Sequence, residues 1–176
     1  EAEKLSRQGR KIINLGIGQP DFKTPEHIVE AAVKALRDGE HGYTPANGLL
    51  CLREAIANDL EVRHKVKISP EDVVVVPGGK PTIFFSLLIF GGPRTEIIYP
   101  NPGFPIYESL IKYMGSEPVP FSLSEKNSFS LDAEEILGKI TSKTRLIILN
   151  SPANPTGGIT RKEELEKLVD GIARNP

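Results

Sequence analysis

The chain has 176 residues, 22 of them basic and 23 acidic, for a net charge of −1. That balance leaves no electrostatic footprint for nucleic acid, and no apolar run approaches the ~20 residues that a membrane span needs. An ordinary apolar share of 39% with only 6% aromatic residues describes a soluble globular protein with a small-molecule partner, expected in the cytoplasm, either one domain or part of a larger one.

Cys51 stands alone, so neither a disulfide framework nor a zinc-binding thiol pair is expected. His27, His41 and His64 share no metal-ligand spacing and sit among charged or turn residues, so no metal is expected either.

The opening "EAEKLSRQGRK" reads as a charged helical start, not a signal peptide. "IINLGIGQPDF" follows as a short strand entering a turn, and "TPEHIVEAAVKALRDG" as a helix. Thr24 is placed to cap that helix, Pro25 to open it and Gly39 to stop it, with Ile28, Ala31, Ala32 and Ala35 on its apolar face. After "GYTPANG", the spacing of Leu49, Leu52, Ile56 and Leu60 predicts a second helix with a core-facing stripe, while Arg53, Asn58, Asp59 and Arg63 face away.

From Ser69 onward short apolar strands alternate with helices. "DVVVVP" leads through "GGK" to the helix "PTIFFSLLIF", and "TEIIYP" leads through "NPGFP" to the helix "IYESLIKYMG". "EPVPF" is a short β segment, and "LDAEEILGKI" a capped helix. "TRLIILN" is a strand, and "TRKEELEKLVDGIA" a closing helix with Thr160 and Glu163 spaced as a capping box. Continuous Val and Ile runs mark strands covered on both faces, which is the pattern of a parallel sheet wrapped by helices. In such sheets ligands sit beyond the carboxyl ends of the strands, so the loops there should carry function.

Three strand ends carry irregular loops: "PGGK", "PNPGFP" and "NSPANPTGG". Gly78 and Gly79 at a helix start would expose backbone N–H groups to an anion such as a phosphate, or make a plain turn. Phe104, between prolines, is either a loop anchor or a ring that stacks on a planar ligand. The prolines of the last loop fix its backbone and delete donors, as at a strand tip that must hold something.

Taken in order, "NLGIGQPDFKTP", "GYTPANGLLCLREAIA", "VVVPGGK", "IIYPNPGFPIY" and "NSPANPTGG" resemble the fold-type-I pyridoxal-phosphate aminotransferases of class I/II, the relatives of aspartate aminotransferase. The resemblance covers nearly the whole chain. It implies the first part of a large cofactor-binding domain, a mostly parallel sheet covered by helices, from residue 39 to 176, with residues 1–38 contributing to a smaller domain. Gly78, Gly79 and Lys80 match the turn whose backbone N–H groups hold the cofactor phosphate, with Lys80 a helix-start residue and not the nucleophile. Phe104 matches the aromatic residue that stacks on the pyridine ring, where many relatives carry Trp or Tyr. Asn154 matches the asparagine bonded to the cofactor's phenolic oxygen, Gly18 the glycine beside the substrate carboxylate, and Tyr43 the tyrosine that reaches the phosphate of the partner subunit in a homodimer. The loop's irregularity would then aim Asn154 at the ring oxygen, with cis bonds expected at Asn101–Pro102 and Asn154–Pro155.

The same resemblance implies that the Schiff-base lysine, the acid paired with the pyridine nitrogen and the arginine that grips the substrate α-carboxylate lie downstream of Pro176. No catalytic residue is therefore assigned within this chain, which is expected to be a fragment of a protein that exchanges an amino group between an amino acid and a 2-oxo acid. The alternative is a non-catalytic half-domain with at most phosphate or cofactor binding, disfavoured because cutting a doubly wound sheet leaves an apolar edge unpaired. A Rossmann-type dinucleotide domain fits the alternation but lacks the glycine fingerprint.

Overall fold

The computed structural model describes residues 2–13, 16, 18 and 20–174, which fall into two compact units, residues 1–49 and 50–176. The first unit holds α1 (Ala2–Arg7) and α2 (Glu26–Arg37). Helix α2 stops as its sequence predicts: Glu40 N–H donates to the Ala35 carbonyl at 2.9 Å and Gly39 N–H to that of Leu36 at 3.2 Å, the paired closure of a Schellman turn. Its start differs from expectation. Pro25, not Thr24, is the N-cap, and no side chain caps the first turn. No residue of α2 is buried, the predicted apolar face included. The strand expected in "IINLGIGQPDF" is not formed at Ile12 or Ile13, while Asn14, Leu15, Ile17 and Gln19 lie outside the described residues.

The second unit runs α3 (Leu50–His64), α4 (Gly79–Phe90), β1 (Glu96–Asn101), α5 (Ile106–Tyr113), β2 (Glu117–Ser122), α6 (Ala133–Leu137), β3 (Thr144–Ile147) and α7 (Lys162–Ala173). The strands form a wholly parallel sheet in the order β2-β1-β3. The parallel α/β architecture expected from the Val and Ile runs is therefore present. In the central strand, Ile97, Ile98, Tyr99 and Pro100 are all buried, because the pleat sends alternate side chains into two different clusters. Ile98 joins Phe121, Leu131, Ala133, Ile136 and Leu168 on one face, where α6 and α7 pack. Ile97 and Tyr99 join Leu87, Tyr107 and Ile111 on the other, against α4 and α5.

Three local expectations change. "DVVVVP" forms no strand: residues 73–76 have no hydrogen-bonded ladder partner among the described residues, and Val74 is exposed. On α3, Arg53 faces inward and Leu52 outward, because the 3₁₀ turn Pro70–Asp72 packs against this helix and offers Arg53 a carbonyl acceptor. The expected capping box at Thr160 and Glu163 is absent. Arg161 is the N-cap of α7 without a side-chain bond, and the Thr160 N–H is taken by Ser151 Oγ at 2.9 Å. Asp132 does cap α6, accepting from the N–H groups of Glu134 and Glu135.

Candidate active site

Because all three strands run parallel, their carboxyl ends share one rim, and the loops that follow β1 and β3 leave from it. Helix α4 begins beside that rim. Thr82, Ile83 and Ser86 in its first two turns face Leu146, Ile148 and Leu149 across a groove of about 230 Å³. Ile83 also packs on the same apolar cluster as Phe104. The "NPGFP" and "SPANPTGG" segments thus follow strand ends on one rim, and the helix that "GGK" opens packs beside it.

Gly78 is the N-cap of α4 with φ +83°, a left-handed value that glycine adopts without steric cost. No side chain caps the helix, and a Cβ placed on Gly78 or Gly79 would meet nothing within 4 Å. The first-turn N–H groups of a helix have no partner within the helix, and its dipole adds partial positive charge there. An uncapped glycine start with open space in front of it can accept an anion at backbone distance. Lys80 is exposed beside it.

Phe104 lies half-buried between β1 and α5. Its ring meets that of Tyr107 edge to face, with centroids 5.9 Å apart and an interplanar angle of 81°. Tyr107 is buried, and burial pushes its phenol pKa above the ordinary value. Deeper on β1, the Tyr99 phenol is also raised, first by burial and then by the neighbouring Glu108 carboxylate of α5.

In the last loop, Asn154 N–H donates to Asn150 Oδ1 at 2.7 Å, which folds the segment back on itself and leaves the Asn154 side chain exposed. Gly157 N–H donates to the Ala153 carbonyl at 2.7 Å, and Ala153 N–H to that of Gly158 at 2.8 Å. The peptide bonds Asn101–Pro102 and Asn154–Pro155 are cis as expected, and Ser151–Pro152 is cis as well. Gly18 and Tyr43 belong to the first unit, where both are exposed, Tyr43 fully so. Sequence reasoning missed Tyr107, which is buried against Phe104, and Asn150 and Ser151, whose side chains accept from the N–H groups of Asn154 and Thr160. The position of Tyr107 three residues after Phe104, at the head of an amphipathic helix, was the available signal.

The family model for aminotransferase class I and II matches residues 10–176. The chain belongs to this family. Among curated relatives it is 37% identical over 170 residues to the probable aspartate/prephenate aminotransferase of Aquifex aeolicus, covering 97% of this chain and 43% of that protein. It is 40% identical over 165 residues to the aspartate aminotransferase of Sulfurisphaera tokodaii, covering 93% and 41%. Among solved structures it superposes on the aspartate aminotransferase of Thermus thermophilus with maleate at a TM-score of 0.91 and 35% identity, covering 98% of this chain and 45% of that one. It matches the alanine aminotransferase of Pyrococcus furiosus at a TM-score of 0.92 and 35% identity, covering 99% and 45%. The chain therefore spans less than half the length of the relatives it matches. Its fold is that of the family, and the family's members are enzymes that transfer amino groups. Among the described residues no cluster of His, Cys, Asp and Glu is placed to hold a metal, and no helix is long and apolar enough to cross a membrane.

Proposed function

We propose that this chain is part of a pyridoxal-phosphate-dependent transaminase of the cytoplasm and supplies the phosphate, ring and phenolic-oxygen contacts of its cofactor. The observation that carries this reading is the uncapped Gly78–Gly79 start of α4, a helix whose next residues line a groove with the carboxyl end of β3 and share an apolar cluster with Phe104. These residues suit the group: backbone N–H donors for a phosphate, a half-buried ring for a planar heterocycle, and an exposed amide on a fixed loop for a phenolic oxygen. When bound, the cofactor supplies an electron sink for bonds at the amino acid's α-carbon.

The chain's own part is to bind and orient. Gly78 and Gly79 fix the phosphate end, Lys80 adds a positive charge at that end, Phe104 limits the tilt of the ring, and Asn154 donates to the ring oxygen. Gly18 leaves room beside the substrate carboxylate, and Tyr43 reaches the phosphate of a second subunit, which makes the whole protein a homodimer. In the same reading residues 1–38 contribute to a smaller domain and residues 39–176 open the cofactor domain. The lysine that carries the cofactor, and with it proton transfer at the α-carbon, is assigned to the remaining length that the relatives possess. The substrates are an amino acid and a 2-oxo acid.

The test compares pyridoxal-phosphate binding by the full-length protein with that of its Gly79→Asp variant. The new carboxylate enters open space at a helix N-terminus, where it favours the helix, yet it repels a phosphate. Loss of binding with an unchanged unfolding midpoint is expected. Equal binding by both proteins would remove the phosphate assignment.

A further inference from the structure

We propose that Tyr107 is a positioning residue that orients the ring of Phe104. The proposal rests on the reading of Phe104 as the stacking ring and deepens it.

Phe104 sits in a connection of four residues, Pro102 to Pro105, between β1 and α5. Tyr107 ties it twice. The Tyr107 N–H donates to the Phe104 carbonyl at 3.0 Å, which sets the backbone, and the edge-to-face contact of the two rings restricts rotation of the side chain.

The anchor is firmer than what it holds. Tyr107 is buried in the cluster of Leu87, Ile97, Tyr99 and Ile111, whereas Phe104 packs at the margin of that cluster and remains half-exposed. A half-exposed ring held from one side keeps part of its surface available to a planar ligand, while its tilt is dictated from the core. The contact belongs to the Tyr107 ring, so its hydroxyl is dispensable for this role. A ring ordered before binding loses less freedom when the ligand arrives.

Phe104→Trp, made in the full-length protein with any tryptophan of the remaining length replaced by Phe, puts a single indole reporter at the position in question, since these 176 residues contain none. In that background the near-ultraviolet ellipticity of the indole is compared in Tyr107, Tyr107→Phe and Tyr107→Leu proteins, together with quenching of its emission by pyridoxal phosphate. Far-ultraviolet ellipticity checks the fold, and Tyr107→Met replaces Tyr107→Leu if the latter does not fold. The expected result is a strong indole signal with Tyr107 and with Tyr107→Phe, collapse of that signal with Tyr107→Leu, and a loss in cofactor affinity of about two- to tenfold. A folded Tyr107→Leu protein whose indole signal matches that of the parent would overturn the proposal, whatever its stability. If the signal depends on Tyr107 but no variant binds the cofactor, the orientation of residue 104 stands and the stacking role falls.

Discussion

Arg53 donates from Nη1 to the carbonyl oxygen of Pro70 at 2.8 Å while its side chain is only 8% exposed. The same guanidinium lies 3.4 Å from Glu71, whose side chain is 74% exposed, so one buried and one solvated contact share a single residue. Their contributions should differ sharply. Arg53→Leu removes a buried charged donor from a partly buried carbonyl, at a cost of about 1–3 kcal/mol. Glu71→Gln weakens only a screened pair, worth less than about 1 kcal/mol. Urea unfolding of the two variants should therefore separate them clearly, and equal midpoints would mean that the buried bond is not what anchors the 3₁₀ turn to α3.

Glu164 links two helices. One carboxylate oxygen accepts from Lys167 Nζ at 2.8 Å and the other from the Ala133 N–H at 2.9 Å, at the start of α6. The Lys167 bond first, and then the Ala133 N–H, hold the Glu164 carboxyl below the ordinary carboxylate range. A depressed folded value means that the unfolded chain takes up the proton at higher pH. The stabilising contribution is therefore complete above the unfolded Glu value and is lost as pH falls through the folded one. Unfolding free energies measured between about pH 7 and about pH 3 should fall less steeply in Glu164→Gln than in the parent. Parallel pH profiles would show that this carboxylate does not couple α6 to α7.

In the last loop, structure and chemistry are divided between two asparagines. The side chain of Asn150 holds the loop through the Asn154 N–H, whereas the side chain of Asn154 is exposed. Asn150→Ala should cost roughly 1 kcal/mol in stability. Asn154→Ala should stay within about 0.5 kcal/mol of the parent in stability and instead shift the absorption band of bound pyridoxal phosphate. A band that is unmoved in Asn154→Ala would withdraw the phenolic-oxygen contact.

Much of this was legible in the sequence because it depends on local pattern. The Val and Ile runs announced a parallel sheet, since a strand covered on both faces cannot alternate, and the Pro and Gly punctuation located the loops at its rim. Features decided by partners distant in sequence were not legible. The periodicity of α3 put Arg53 outside, yet a turn seventeen residues on supplies an acceptor that draws it in. Thr160 and Glu163 have the spacing of a capping box, but Ser151 captures the threonine's own N–H from nine residues away. "DVVVVP" has strand composition, and composition cannot supply a ladder partner. At the site, the loop residues stood out while Tyr107 beneath Phe104 did not, because a buried tyrosine at a helix head reads as core until its neighbour's ring is seen against it.

The six residues of β1 are a common wall. Ile98 belongs to one apolar cluster and Ile97 and Tyr99 to the other, so each cluster ends at the backbone where the other begins. Neither can melt and leave its companion standing: loss of β1 opens both at once. Cooperativity between the helices on opposite sides of the sheet therefore passes through its strands, since β3 is divided in the same way, with Ile147 on one cluster and Leu146 on the other.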